Sequence, residues 1–581
     1  MLMRDNIDTN LRDLPTPRKP TMQKTNNSKK NLLNSQQPTK QYRVNLTLPN
    51  IINLDLVDAW ISQVLEIDED TSCNGSDMNK LAYKALFIIK NLLQNSQIPA
   101  FYTGTVVNII SQDNNSYAID LAIVDINFID DAHVKKTVNF AFKVLFWMMK
   151  NEITPQNRQE FYKACLNEII NPITSVQPIG ISRIHTLKAA YYKNIPFIHL
   201  GDGVYQLGWG SKAKKLDRSI SEADSAIGSK LSQNKVNTAN LLRLAGLPAP
   251  LHGVVNNNAN ALHVAKQLGY PVVVKPSDLD RGEGVSVDIT HDTQLIKAFE
   301  EAFTLSKSKK ILVEKQAKGM CHRLFVAQNE LLYAVERLPI SVKGDGIKTV
   351  ARLIDEANNI QNARAPWLRS KPFPHDALAY KEIEKHGFSL HSVPKEGTWI
   401  PLRDIESTKW GGRSENVTEI VHPDNIDIAI RAAKLFGLNI AGIDIITADI
   451  SQPWYQTGAI INEVNFAPMF GVGETSRSSM PAFFDKFIEG DGRIPLEIFV
   501  GEDEETLKKA KRRQQKLIKT GLRCYLSTAM ITFDERDSEV KFMHHSILMK
   551  AQALLLNHNV DAVIFVVETE GIKEVLLERL G

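Results

Sequence analysis

The chain has 581 residues, 43% hydrophobic and 23% charged, with a formal net charge of +3, so it has length for three or four domains of about 150 residues and the composition of an ordinary soluble protein. The near balance of charge removes any whole-protein electrostatic argument for nucleic acid and leaves small molecules as partners. Four scattered cysteines (Cys73, Cys165, Cys321, Cys524) make no Cys-x-x-Cys pair, and neither a secretory signal nor the ~20 apolar residues of a membrane span is found, so a reducing, cytoplasmic setting without a disulfide framework or membrane is expected.

Residues 1–45 read as a polar, disordered tail: from Leu14 to Arg43 there are seven basic residues and no acidic ones, too little apolar surface to offset ordering entropy. An arm for RNA or an acidic partner is the alternative. Residues 46–172 mix strand-period runs, "GTVVNII" and "AIDLAIVDINF", with helix-period runs, "MNKLAYKALFIIKNLL" and "VKKTVNFAFKVLFWMMKNEI", and predict a small α/β domain without a chemical motif. Alternation resumes in 173–490. There "ISRIHTLKAAYYKNI" predicts a helix, "FIHL" a strand, "ANLLRLAGLPAP" a helix closed at Gly246, and "YPVVVKP" a short strand stopped by Pro276. The fold class is α/β.

Strand "VVVKP" delivers Lys275 just before a Gly-x-Gly turn at Gly282 and Gly284. A lysine and exposed backbone N–H groups at such a turn can grip phosphate, although a plain two-glycine hairpin beside a surface lysine fits the same letters. "ILVEKQAKG" is a strand leading into a polar linker, suited to a purine edge, with Glu314 accepting from an exocyclic amine. "AGIDIITADI" carries Asp444, and "IINEVNFAP" carries Glu463 and Asn465 on one face at spacing two, ended by Pro468. Three such oxygen donors on neighbouring strands suit a hard divalent cation. The other reading is buried polar groups satisfied by nearby arginines.

Lys235, Lys275 with its glycine loop, Glu314, Asp444 and the Glu463-x-Asn465 pair stand in the order and approximate spacing of an ATP-grasp ligase. Longer strings, among them "YQLGWGSKAKKLDRSISEADSAIGSKLSQNK", "KPSDLDRGEGVSV", "AVERLPISVKGDGIKTVARLIDE", "VPKEGTWIPLR", "IVHPDN" and "LNIAGIDII", resemble the ATP-grasp part of the cyanophycin synthetase group over roughly residues 175–475.

The resemblance implies an ATP-dependent carbon–nitrogen ligase. Lys235 and Lys275 would neutralise ATP phosphates, and the loop Asp280, Arg281, Gly282, Glu283, Gly284, Val285 would close over them. Glu314, Lys315, Gln316 and Ala317 would line the base. Asp444, Glu463 and Asn465 would hold Mg2+ (or Mn2+), and Arg323, Arg337 or Arg403 would steady the oxyanion of a tetrahedral intermediate. Amino acids or short peptides are the implied substrates, and a homo-oligomer the implied assembly. A non-catalytic relative, binding or regulatory, is the competing expectation. Cys321 stands where the family has an acidic ribose contact, and "STKW", with Lys409 and Trp410, replaces an Asn-Leu-Ser-Thr string that contacts the peptide end.

Residues 491–581 resemble the start of a Mur-ligase-like half whose nucleotide loop is dismantled. After "IPLEIFV" the chain reads "GEDEETLKKAKRR", keeping Gly501 but setting four acidic residues, Glu502 to Glu505, where phosphate would bind. A packing or dimerisation role is expected of this segment, with residual binding of a partner as the alternative.

Overall fold

Tyr42, Val44 and Leu46 alternate with polar neighbours along Thr39–Thr47, and all three are buried, as period-two spacing requires of a strand with one covered face. The polar tail expected to run to residue 45 therefore yields to a strand at Thr39, because three apolar side chains at the right period suffice in a stretch of polar composition. The computed structural model describes residues 37–49, 52–67, 69–113, 115–126, 128–176, 180–279, 282–407, 410–543 and 546–580. Residues 1–36 of that expected tail, and the site candidates Asp280 and Arg281, lie outside them.

The chain divides into two compact units, one combining the residues up to Arg218 with those from Phe484 onward, the other spanning Ser219–Phe483. In the first, Thr39–Thr47 and Thr105–Asp113 flank Ser116–Val124 in an antiparallel sheet, and the helices Asp77–Asn95 and Asp131–Met148 supply much of the buried apolar surface. The helix of "ISRIHTLKAAYY" (Ile181–Tyr192) and the strand Phe197–Gly201 form as expected, but they belong to this unit.

The C-terminal segment folds into a sheet in which Leu496–Val500 and Cys524–Ser527 both run parallel to the central strand Ala562–Val567. "AVIFVV" is buried at every position, the continuous apolar run of a parallel strand covered on both faces. Beyond it the chain makes a helix, Glu570–Leu580. Trp209 is part of this core, its indole N–H donating to Leu580 O at 3.1 Å, and Gln206 Nε2 donates to Leu555 O at 3.0 Å. At the strand-to-helix turn, Asp503 caps the helix Glu504–Lys519, accepting from the backbone N–H and the hydroxyl of Thr506 at 2.8 Å each.

Two larger antiparallel sheets and a two-stranded one, Ser341–Lys343 with Trp399–Pro401, lie among the described residues of the second unit. Of the first two, the smaller has the order Ser286–Ile289, Val272–Pro276, Ile311–Lys315, His252–Val255, with the helices Asn258–Leu268 and Asp292–Leu305 packed over its apolar core. The larger has the order Gly412–Asn416, Glu330–Pro339, Met320–Ala327, Ile440–Thr447, Ile460–Phe466. The helix Pro423–Leu435 covers it with Ile428, Ala429, Ala432 and Ala433, spaced to form one helical face. A small apolar cluster around Ile354, Ile383 and Ile400 supports the connection between Pro339 and Gly412. The fold is thus mixed α/β with several sheets, largely antiparallel.

Candidate active site

Strand register builds the first cluster. Arg323 on Met320–Ala327 lies directly opposite Asp444, and Asp444 lies opposite Glu463, so three charged side chains form a row across three neighbouring strands. Asn465, two residues beyond Glu463, shares its face. The Ile460–Phe466 strand stops before Pro468, with Ala467 already at φ +52°.

Asp444 is 1% exposed and its carboxylate is held from two sides. Arg323 Nε donates to Oδ1 and its Nη2 to Oδ2 at 2.9 Å, a bidentate fork. Arg337, one strand further out, donates from Nη1 to Oδ2 at 3.2 Å and from Nη2 to Glu406 Oε2. Asn465 Nδ2 donates to Gly442 O at 3.2 Å and reaches Asp444 Oδ2 at 3.4 Å. Of the two sequence-level readings of Asp444, satisfaction by arginines is what this arrangement displays. The oxygens are nonetheless the hard donors a divalent cation takes, and a cation there would exchange with the guanidinium groups.

The electrostatics follow from burial and pairing. Asp444 drives the Arg323 guanidinium further up, against the desolvation that burial imposes. Burial pushes the Cys321 thiol up, and the Asp444 carboxylate adds to this. Burial also raises the Glu406 carboxyl, with Arg337 and Arg323 opposing it. Cys321 thus stands against this charged cluster as a neutral thiol. Gly442 is what lets Arg323 lie across the sheet, since a Cβ there would come within 3.0 Å of Arg323 Cδ and of Pro468 Cβ.

The second cluster lies in the smaller sheet. Lys275 Nζ and Glu314 Oε2 are 2.7 Å apart with side chains 10% and 8% exposed, on neighbouring strands at diagonal positions. His252, directly opposite Glu314, has its imidazole pushed down by burial. Lys315 Nζ donates to the carbonyls of Gly269 and Tyr270 at 2.9 and 3.1 Å. Gln316 exchanges hydrogen bonds with Asp288, on the edge strand Ser286–Ile289, at 2.7 Å, so linker side chains are tied to that strand and to the residues just before the Lys275 strand, and Ala317 is half-buried beside them. Lys235, first residue of the helix Lys235–Leu244, donates to Leu279 O at 2.9 Å.

Gly282 and Gly284 both have positive φ, +75° and +71°, and Val285 N–H closes the turn on Gly282 O at 3.4 Å, with Glu283 exposed at its tip. A Cβ on Gly282 would lie 2.9 Å from Ile405 Cδ1. The glycine turn therefore touches the loop that follows Arg403. Thr408 and Lys409 lie outside the described residues; the rest of that loop is held by Trp410 Nε1 donating to Ile405 O at 3.2 Å and Gly411 N–H to Ser407 O at 2.7 Å, and the indole ring lies 5.6 Å from the Arg403 guanidinium. Arg403 Nη2 is paired with Asp376 Oδ2 at 2.7 Å and Nη1 with Leu402 O at 2.7 Å, while its buried Nε–H has no acceptor among the described residues. Arg403 is not among the groups paired with Asp444.

Sequence reasoning missed Glu406, Asp376 and His252. Glu406 sits in an unpatterned loop, and only the acidic letter three residues past Arg403 signalled it. Among the described residues no group of three or more His, Cys, Asp or Glu side chains is gathered for a metal, which leaves the mixed Asp444, Glu463 and Asn465 set as the oxygen-rich candidate. No helix is long and apolar enough to cross a membrane among the described residues.

Three comparisons bear on this site. Residues 232–323 match the family model described as carbamoyl-phosphate synthase L chain, ATP binding domain. Cyanophycin synthetase of Trichormus variabilis is 32% identical over 364 residues, covering 60% of this chain and 40% of that protein. The glutathione biosynthesis bifunctional protein GshAB of Mannheimia succiniciproducens is 33% identical over 259 residues, 42% of this chain and 33% of that one. A bifunctional glutathione synthetase from Pasteurella multocida is structurally similar at a TM-score of 0.41 and 20% identity, over 61% of this chain and 55% of that one. The chain thus spans about 40% of the length of the cyanophycin synthetases it matches. With the family match over the two lysines and glycine turn, and identity of about 30% to two groups of biosynthetic enzymes, the chain is an ATP-grasp protein related to cyanophycin synthetase and to GshAB.

Proposed function

We propose that the Ser219–Phe483 unit is an ATP-dependent carboxylate–amine ligase that forms an amide or peptide bond on an amino acid, dipeptide or short peptide. The observation that carries this reading is the Arg323–Asp444–Glu463 row with Asn465 beside it, in a chain whose relatives include cyanophycin synthetases. A carboxylate oxygen of one substrate attacks the γ-phosphorus of ATP, the bond to the β-phosphate oxygen breaks, and ADP leaves. The amine of the second substrate then attacks the acyl carbon, loses a proton, and phosphate departs as the C–N bond forms.

The residues fit Mg2+ by donor chemistry: two carboxylates and an amide oxygen, with Asp444 almost fully buried. Asp444, Glu463 and Asn465 would hold it, and when bound it supplies charge neutralisation between phosphates. Lys275 brings a buried cation whose present partner is Glu314. Gly282 and Gly284 let the backbone approach phosphate oxygens. All three arginines have a carboxylate partner, but of the three only Arg403 also keeps a buried N–H without an acceptor among the described residues, which favours Arg403 as donor to a substrate oxygen.

A non-catalytic binding role is favoured by Cys321 at the ribose position and by the clamped state of Asp444. One experiment separates the two: ADP release with amino acids and dipeptides supplied in pairs, with mass spectrometry of products. Amine-dependent ADP release that is abolished in Lys275→Ala and Glu463→Gln supports the ligase; ATP binding without turnover in any pair supports the binding protein.

A further inference from the structure

We infer that Glu406 is the group that receives the amine substrate, taking its ammonium on the carboxylate oxygen that Arg337 leaves free; this rests on the ligase reading above. Glu406 Oε2 accepts from Arg337 Nη2, and no residue of the described chain donates to Oε1. The side chain is 18% exposed, so Oε1 is desolvated enough to favour a charged partner yet open to one. Amines in water at neutral pH are mostly ammonium ions, and a half-satisfied carboxylate in a crevice is the acceptor their N–H groups fit.

Three contacts show that the seat is built. Gly412 has no side chain where Glu406 lies; a Cβ there would overlap Glu406 Cγ and come within 2.7 Å of Leu338 O. Trp410 Nε1 donating to Ile405 O and Gly411 N–H donating to Ser407 O fix the residues on either side of Glu406. Ile405, the preceding residue, is touched by Gly282 of the glycine turn, which brings this loop to the side of the unit assigned to phosphate. Asp444 and Glu463 are the carboxylates assigned to Mg2+, which leaves Glu406, paired on one oxygen with Arg337, as the carboxylate of this cluster open to a monovalent cation.

The test is steady-state ADP release by the full chain, with the amine that supports turnover in the paired screen of free amino acids and dipeptides. Glu406→Gln keeps an acceptor for Arg337 but removes the charge, and Glu406→Asp keeps the charge on a shorter stem. The expected result is a KM for the amine raised at least about tenfold in Glu406→Gln, the loss of one charge-assisted hydrogen bond. The KM for ATP should change less than about twofold, with partial recovery in Glu406→Asp. A fall in kcat with the amine KM unchanged in both variants would overturn the assignment and leave Glu406 as a positioning residue for Arg337. Absence of turnover by the unmodified protein with every pair would overturn the ligase reading, and this inference with it, which is a separable outcome. Thermal unfolding of both variants alongside the native chain identifies a folding defect, and a misfolded Glu406→Gln leaves Glu406→Asp to decide, because an amine KM equal to the native one in that variant contradicts the proposal.

Discussion

Replacing Lys275 by methionine should separate what the Lys275–Glu314 pair does for stability from what it does for chemistry. The two groups are 2.7 Å apart with side chains 10% and 8% exposed, so the methionine variant leaves a carboxylate shut away from water without its cation. Breaking such a pair from one side costs about 3–5 kcal/mol. For a unit of this size each kcal/mol lowers the melting temperature by about 2–4 °C, so the expected loss is about 6–20 °C. Replacing both partners, Lys275→Met with Glu314→Leu, removes the stranded charge and should recover most of that loss, because apolar side chains of similar volume pack where the ions were. Melting curves of the two single variants, the double variant and the native chain complete a double-mutant cycle. ADP release on the same four proteins then reads the chemistry. The double variant should be stable and inactive. A single variant as stable as the native chain would refute the buried pairing, and an active double variant would refute the place of Lys275 in the phosphate site.

Gly442→Ala should destabilise by about 1–3 kcal/mol through overpacking, since its Cβ would press on Arg323 and Pro468 at 3.0 Å; urea unfolding measures it. Lys550, 3% exposed, donates to the carbonyls of Thr528 and Ala529 at 3.2 and 2.9 Å, and burial pushes its pKa down. Between that lowered value and the unfolded value of about 10.4 the unfolded chain binds more protons, so stability rises with pH through this window. Lys550→Met should abolish that rise, read from unfolding free energies across alkaline pH. Removing the residues from Gly501 onward should strip the core partners of Trp209 and expose apolar surface, so solubility should fall more than the intrinsic ATP affinity of the Ser219–Phe483 unit; a soluble, folded remainder that no longer binds ATP would contradict this.

Much of the second unit was legible because its strands announce themselves. "VVVKP", "ILVEK", "AGIDIIT" and "IINEVNF" are apolar runs broken by polar letters at chemically meaningful positions, and each became a strand carrying the residue singled out in it. What the letters could not reveal was partnership. Asp444 meets Arg323 and Arg337 across 121 and 107 residues of chain, and nothing in local period encodes which cation arrives at which carboxylate. Glu406 was invisible for the related reason that its loop has no period at all; its direction is set by Gly412 and Trp410, whose effect is steric. The first unit joins Trp209 to Leu580 across 371 residues, so stretches read separately along the sequence share one core. The strand at Thr39 was hidden by composition, which averages away three well-placed apolar side chains.

The Asp503 cap at the helix Glu504–Lys519 has a consequence for ligand counting. Helix N-termini after a strand are natural phosphate seats, but here the chain's own carboxylate occupies the backbone N–H and hydroxyl of Thr506. A tethered group competes at an effective concentration in the millimolar range, and the neighbouring acidic side chains repel a phosphate further. An ATP titration of the full chain should therefore saturate as one class of site.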